Sequence, residues 1–459
     1  MINVFIKTYG CLANVADSQA LANYLVGLGC SIIDEQDSAD LIIINTCAIR
    51  DKAEQKVFSY LGCLSDLKKQ KPYLKIGVIG CIATYRKKEF FKRFDHINFV
   101  FGAKENLAVL QEYLSDLVLK IETIKQIYSD DPDKKLNFGG QDRDMKITEK
   151  EEDKELILGG FKDKPSEFKQ SFVNIMTGCD NYCSYCIVPF TRGREKSYPM
   201  SSIIERVQRD VQSGAKEINL LGQNVNSYKD PQTGAGFAEL LKQVAQIDGE
   251  FWVRFVSPHP KDMTKDVLHV ISEYNDKLCT FIHLPLQSGS NKILQIMNRT
   301  YDVEKYMEQI SWIRDILPHA TISTDIIVGF PGETEDDYLE TRKVLEDIKF
   351  DLVFPFIYSS RKYTKAALMD DNCSKEEKTR RLEELRKRQI DICFARNSLK
   401  IGKTLKTLVE KRLTSGKLLA RTEGNIRVLF DGKDDIIGKF VKLKIVDAGS
   451  VNLIGSLTK

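Results

Sequence analysis

The 459-residue chain has no apolar run long enough to span a bilayer, so a helical membrane protein is excluded at the outset. Its first residues, MINVFIKTYG, lack the basic segment and the small-residue cleavage site of a secretory signal. A cytoplasmic protein with no membrane partner is the expectation. Charge of one sign is missing as well: the formal net charge is only +3, which identifies no partner until its distribution is known. Histidine is scarce. The five residues present include no pair at ligand spacing, and a lone histidine such as His283 reads as hydrogen-bonded structure. The composition, 42% hydrophobic and 29% charged, is that of an ordinary folded protein and excludes disorder. The length calls for two or three domains.

What is present is an alternation of two kinds. Over the first hundred residues, VFIKTYGC, DLIIINTC and KIGVIGC are short apolar runs separated by helical stretches, a βαβαβ pattern that predicts an open parallel α/β sheet. From about Ile121 to Gln170 the text is charge-rich and lacks apolar periodicity, as linkers do. Six further apolar runs, FVNIM, EINLLG, FWVRFV, CTFIHLPLQ, TISTDIIVGF and LVFPFIYS, alternate with helix-like segments and predict a partial (β/α)6 barrel. A polar connector helix begins at Ser374, where Ser374 and Glu377 fit a capping box. The final segment turns to short, Gly-broken alternating strands that predict a small β-barrel. The expected domains are therefore 1–118, a linker at 119–164, 165–397 for the partial barrel with its connector helix, and 398–459.

Eleven cysteines in a reducing compartment are not a disulfide scaffold, so metal binding or catalysis is in question. Cys179, Cys183 and Cys186 form a C-x3-C-x2-C loop directly after the run FVNIM. Three thiolates hold three irons of a [4Fe-4S] cluster and leave the fourth open to another ligand. S-adenosylmethionine (SAM) can fill that position with its amino and carboxylate groups, and its reductive cleavage yields a 5'-deoxyadenosyl radical. A zinc site would need a fourth ligand, and none lies near Cys186. Cys11, Cys47 and Cys81 each end one run of the first sheet. Ligands bind outside the carboxyl ends of such strands, which favours a second cluster. Glycine precedes two of the three, so small residues chosen for tight turns are the alternative. Cys30, Cys63, Cys279, Cys373 and Cys393 have no partners at metal spacing and read as small core residues.

The segments KTYGC, NTCAIRDKAEQKVFSYLG, GCDNYCSYCIVPFTRGRE, LLGQNVNSY, HLPLQSGS and TDIIVGFPGET resemble the methylthiotransferases, a radical-SAM family, over nearly the whole chain except the linker. The resemblance implies an auxiliary [4Fe-4S] cluster on Cys11, Cys47 and Cys81, and a radical-SAM cluster on Cys179, Cys183 and Cys186. It implies that two SAM molecules are used, one to methylate a sulfur and one to furnish the radical that takes hydrogen from adenine C2. It places SAM contacts around Gly222, Gln223 and Asn224, at Gln287 and Ser288, and along Ile327 to Gly329. Roles for these as turn and helix-cap residues stay open. Arg192 and Arg194 either favour an anionic substrate or pair with Glu195. Leu12 and Thr84 stand where the family pattern carries Gln, and Tyr363 and Lys365 where Gly and Pro are expected.

The last 62 residues, Ser398 to Lys459, hold 13 Lys or Arg against 6 Asp or Glu, a surplus of +7, so the rest of the chain is at −4. The segment resembles a TRAM domain. A compact basic barrel attracts phosphates, although its charge can also serve solubility alone. RNA is favoured over a basic ribosomal protein, which such a tail would repel. The implied reaction is methylthiolation at C2 of N6-dimethylallyladenosine next to the anticodon of tRNA. Threonylcarbamoyladenosine, a ribosomal protein, and a non-enzymatic iron-sulfur RNA sensor are the alternatives. A flavodoxin- or ferredoxin-type electron donor is what the family suggests, and a monomer is the expectation.

Overall fold

LIIINT and KIGVIG carry no polar alternation, and a strand of that kind needs cover on both faces. In the computed structural model, which describes residues 1–48, 51–105, 107–130 and 170–458, every residue of both runs is buried. They are the centre of the sheet in the first of two compact units. Its strands are β1 (Asn3–Tyr9), β2 (Ser31–Ile32), β3 (Leu41–Thr46), β4 (Lys75–Gly80) and β5 (Phe99–Gly102), all parallel in the order β2-β1-β3-β4-β5. That is a doubly wound order whose switch point lies between β1 and β3. Helices α1 (Leu12–Gly27) and α4 (Leu107–Asp130) cover one face, and α2 (Asp51–Gln70) and α3 (Cys81–Arg93) the other.

The structure departs from the sequence reading of this region in two ways. Helix α4 continues to Asp130, past the expected domain end at 118, because Leu114, Leu117, Val118 and Ile121 keep one apolar stripe against the sheet. The remainder of the expected linker, 131–164, lies outside the described residues. The short helix α5 (Val188–Arg192) belongs to this first unit and not to the barrel. Ile187 is buried in the core formed with α2 and α3, which draws the segment Ile187–Arg194 into the unit.

In the second unit, β6 (Gln170–Asn174), β9 (Glu217–Leu221) and β10 (Trp252–Phe255) form one parallel ladder, and β11 (Phe281–His283), β12 (Thr321–Val328) and β13 (Leu352–Ile357) another. A parallel bridge between Val253 and Leu278 joins them, giving the six-stranded partial barrel. The tiny strands β7 (Met176–Thr177) and β8 (Lys196–Ser197) pair antiparallel. The outer layer comprises α6 (Met200–Gln212), α7 (Phe237–Ala245), α8 (Lys265–Glu273), α9 (Asn291–Ile296), α10 (Val303–Ile316), α11 (Glu335–Ile348) and α12 (Lys375–Ser398). Alternation sends Ile322, Ile326, Val328 and Val353 outward into the helix-lined core and leaves Ser323, Asp325 and Phe354 facing the lumen.

Helix α12 does more than connect. Leu382 and Leu385 join the main core, and Ser374 caps it by accepting from the Glu377 amide at 3.1 Å. The Glu377 carboxylate turns instead to Arg380 and Arg381, so only half of the expected capping box forms. Beyond it, β14 (Thr404–Arg412), β15 (Leu418–Thr422), β16 (Arg427–Phe430), β17 (Phe440–Ala448) and β18 (Asn452–Leu457) close into a five-stranded barrel. This barrel docks on the strand-start end of the larger one. Glu217, fully buried at the start of β9, pairs with Arg254 at 2.8 Å and Arg421 at 2.9 Å. Arg254 also donates to the carbonyls of Thr422 and Glu423, and Trp252 packs edge-on to Phe440. Among the described residues no helix is long and apolar enough to cross a membrane.

Candidate functional site

In the first unit Cys11, Cys47 and Cys81 stand at the carboxyl edge of the sheet, around the switch point. Cys11 is the N-cap of α1, Cys47 follows β3, and Cys81 opens α3. A fully buried amide network fixes the first two loops. Asn14 accepts from the Cys11 amide and thiol through Oδ1, both at 3.3 Å, and donates to Asn45 Oδ1 at 2.9 Å and the Thr46 carbonyl at 3.1 Å. Asn45 donates back to the Asn14 carbonyl and to Ser18 Oγ. The glycines before Cys11 and Cys81 make these tight turns possible. A Cβ on Gly80, whose φ is +96°, would stand 2.5 Å from the Thr46 carbonyl oxygen, and one on Gly10 would stand 2.3 Å from Asn14 Oδ1.

The thiols share an electrostatic environment. A hydrogen bond from Cys47 is the main cause that draws the Cys11 thiol down to about 6 against its burial. Burial pushes Cys81 up, and Arg192 opposes it by charge and by a hydrogen bond. Arg192 is itself buried and held by Asp17 of α1, Nη2 to Oδ2 2.7 Å, so it pairs with Asp17 and not with Glu195. Thr84, where the family pattern has Gln, accepts from the Ala103 amide and donates to the Thr191 carbonyl, which ties α3 to α5.

In the second unit Cys179, Cys183 and Cys186 lie on the loop after β7. Cys179 and Cys183 are buried, and burial pushes the Cys179 thiol up to about 11. The loop is braced from the end of α9 by residues that spacing did not reveal. Asn298 Nδ2 donates to the carbonyls of Asn181 and Tyr182. The enclosed Arg299 donates to Cys183 Sγ at 3.2 Å, the Tyr185 hydroxyl at 3.4 Å and the Pro285 carbonyl at 3.2 Å. The only sequence signal is an arginine just past a helix end, in IMNRT, which is too common to single out. Each cysteine group thus has an arginine beside it whose N–H groups and charge could support the thiolates of a bound cluster. Among the described residues no three His, Cys, Asp or Glu side chains are close enough to hold a single ion. The three thiolates of a cluster sit on three different irons and need not meet at one ion.

The residues expected to contact SAM divide. Gln223 Oε1 accepts from the Gly178 amide at 2.6 Å, beside Cys179. Asn224 donates to Asp262 at 2.7 Å while its buried Oδ1 has no partner among the described residues. Gln287 adopts φ +74°; its amide donates to the Asp325 carbonyl and its own carbonyl accepts from Ile327. Ser288 is fully buried, and its hydroxyl is engaged by Thr341 and the Ser290 amide, a turn contact just ahead of α9. Gly329 donates to Glu333 Oε2 at 2.6 Å. Tyr363, where Gly is expected, keeps a left-handed φ of +73°.

Residues 3–102 match the Uncharacterized protein family UPF0004, 173–345 the Radical SAM superfamily and 398–458 the TRAM domain. The chain is 40% identical to a tRNA-2-methylthio-N(6)-dimethylallyladenosine synthase from Carboxydothermus hydrogenoformans, covering 99% of this chain and 98% of the relative. It is 41% identical to the protein of the same name from Clostridium botulinum strain Langeland, covering 98% and 96%. Among solved structures, the radical S-adenosylmethionine methyltransferase TsrM from Kitasatospora setae shares the fold with a TM-score of 0.57 at 12% identity, over 80% of this chain and 75% of that one.

Proposed function

Because the chain belongs to the family of tRNA-2-methylthio-N(6)-dimethylallyladenosine synthases, we propose that it replaces the C2 hydrogen of N6-dimethylallyladenosine in tRNA with a methylthio group. The observation that carries this reading is the pair of three-cysteine sites on two separate folds, each with its own buried arginine. Cys179, Cys183 and Cys186 would hold the radical-SAM [4Fe-4S] cluster, and Cys11, Cys47 and Cys81 the auxiliary one. When bound, the clusters and SAM supply the electron, the hydrogen-abstracting radical and the sulfur chemistry. The chain's own part is to hold and orient. Arg299 and Arg192 offer N–H donors to the thiolates of Cys183 and Cys81. Gln223, Asn224 and the backbone of Gln287 present polar groups at the strand ends where SAM would bind.

The RNA surface in this reading is the outer face of β14 and β17. Lys406 lies directly across from Lys442, and Lys444 is the next lysine along β17. Like charges facing one another across strands cost stability, and Lys442 and Lys444 are exposed with no ion pair among the described residues. A polyphosphate partner would offset that cost. The work would take place in the cytoplasm, by a monomer, with electrons from a flavodoxin- or ferredoxin-type protein.

Mass spectrometry of tRNA nucleosides from a strain lacking the gene tests the proposal. The methylthiolated dimethylallyladenosine should vanish and its unthiolated precursor accumulate. Persistence of the methylthio nucleoside would overturn the reading, and loss of a threonylcarbamoyl derivative instead would redirect it.

A further inference from the structure

The barrel lumen carries a group of residues with no role so far. On β13, Phe354 and Phe356 are 39% and 43% exposed, although the intervening alternation buries Val353 among the outer helices. Two large aromatic side chains open to solvent on the concave face of a barrel serve no packing purpose there. The Phe354 ring lies 6.0 Å from His283 in an edge-on arrangement. His283 is fixed by Ser323 Oγ at 2.9 Å and faces Asp325 Oδ2 at 3.5 Å. All lie on one surface, since Asp325 is the cross-strand partner of Phe354, and Ile327 that of Phe356.

This surface begins at the level of Gln287, whose amide donates to Asp325 and whose carbonyl accepts from Ile327. The reacting end of SAM would be expected at the same level, so whatever rests on the two phenylalanines has its edge near the strand ends. An aromatic wall bordered by a carboxylate and an imidazole matches one kind of ligand well, a flat nucleobase with a greasy substituent. Such a base stacks on aromatic side chains and is read along its polar edge.

The geometry points to Phe354, Phe356, His283 and Asp325 as the site that receives the target adenine and its five-carbon substituent, an assignment that rests on the function proposed above. The phenylalanines stack on the base and cover the dimethylallyl chain. Asp325 accepts the one N–H that remains on the substituted exocyclic nitrogen, and His283 holds Asp325 in place. An adenine without the five-carbon chain would leave part of the aromatic wall wet, so the site selects for prenylated RNA.

The test uses the full-length holoenzyme and an anticodon stem-loop RNA carrying either dimethylallyladenosine or adenosine at the target position. Phe354→Ala and Phe356→Ala should each weaken binding of the prenylated RNA about tenfold and that of the plain RNA far less, so the preference between them collapses. Phe356→Tyr should retain it. Cluster absorbance and iron content serve as the folding control, and Asp325→Ala, which leaves the aromatic wall intact, is the second probe. Unaltered preference in both alanine variants, with wild-type cluster spectra, overturns the site but leaves the proposed function standing. If the wild-type enzyme methylthiolates neither RNA, the proposed function itself falls, and this site with it.

Discussion

Single residues in the two cysteine groups should fail in different ways. Cys183→Ala should abolish SAM cleavage and with it all product, whereas Cys47→Ala should still release 5'-deoxyadenosine from SAM and dithionite but give no methylthiolated RNA. Methylthiolation by the second variant would sink the division of labour between the sites. Gly80→Ala puts a side chain on a left-handed residue against the Thr46 backbone. The conformational cost alone is about 1 kcal/mol, and the displaced Cys81 should lower iron after reconstitution from about eight to about four per chain. Spacing and strand position single out all six candidate cysteines in the sequence. Asn14, Asn45, Arg192 and Arg299 were not, because a buried amide or guanidinium has no periodic signature and its partner lies tens or hundreds of residues away.

Among the elements, α12 shows how a polar pattern can conceal a packed face. Thirteen of its 24 residues are Lys, Arg, Asp or Glu, yet Leu382 and Leu385 are core residues. Leu385→Ala should therefore destabilise the chain by about 3 kcal/mol and Ser374→Ala by about 1 kcal/mol through the lost cap, whereas Leu368→Ala, at a residue 90% exposed, should be near neutral. Urea unfolding of the three variants separates these outcomes. The helix was placed correctly from its charge pattern and cap. Its contribution to the core was hidden because two apolar positions in a long charged run leave little amphipathic signal. The extension of α4 to Asp130 was missed for a related reason: charged residues on its outer face resemble the linker that follows.

For the whole molecule, the buried Arg254–Glu217–Arg421 group is the main polar tie between the small barrel and the large one. Burial alone would push the Glu217 carboxyl up, but Arg254 and Arg421 hold it at about 2. A carboxyl lowered in the folded state stabilises fully above its ordinary value of 4.5 and loses that contribution as the pH falls toward 2. The difference is about 3 kcal/mol, so Glu217→Gln should flatten the acid limb of a stability–pH profile measured by urea unfolding of the apo chain. On the outer face, Lys442→Ala and Lys444→Ala should weaken tRNA binding regardless of sequence and lower the slope of log K against log salt by about 0.7 to 0.9 each. An unchanged slope would mean the lysines serve solubility only.

By itself the sequence determined the α/β sheet, the partial barrel and the small β-barrel and singled out six candidate thiols, since hydrophobic period and cysteine spacing are local properties written along the chain. It also determined the basic sign of the small barrel. Only the tertiary structure decided that Arg192 turns inward to Asp17 rather than outward to Glu195. It alone decided that the Ser288 hydroxyl is engaged by Thr341 and the Ser290 amide, and that Phe354 and Phe356 stay exposed instead of entering a core. Those outcomes depend on which strands are neighbours and which face each residue takes, and long-range pairing of that kind is set by the packing of the whole fold.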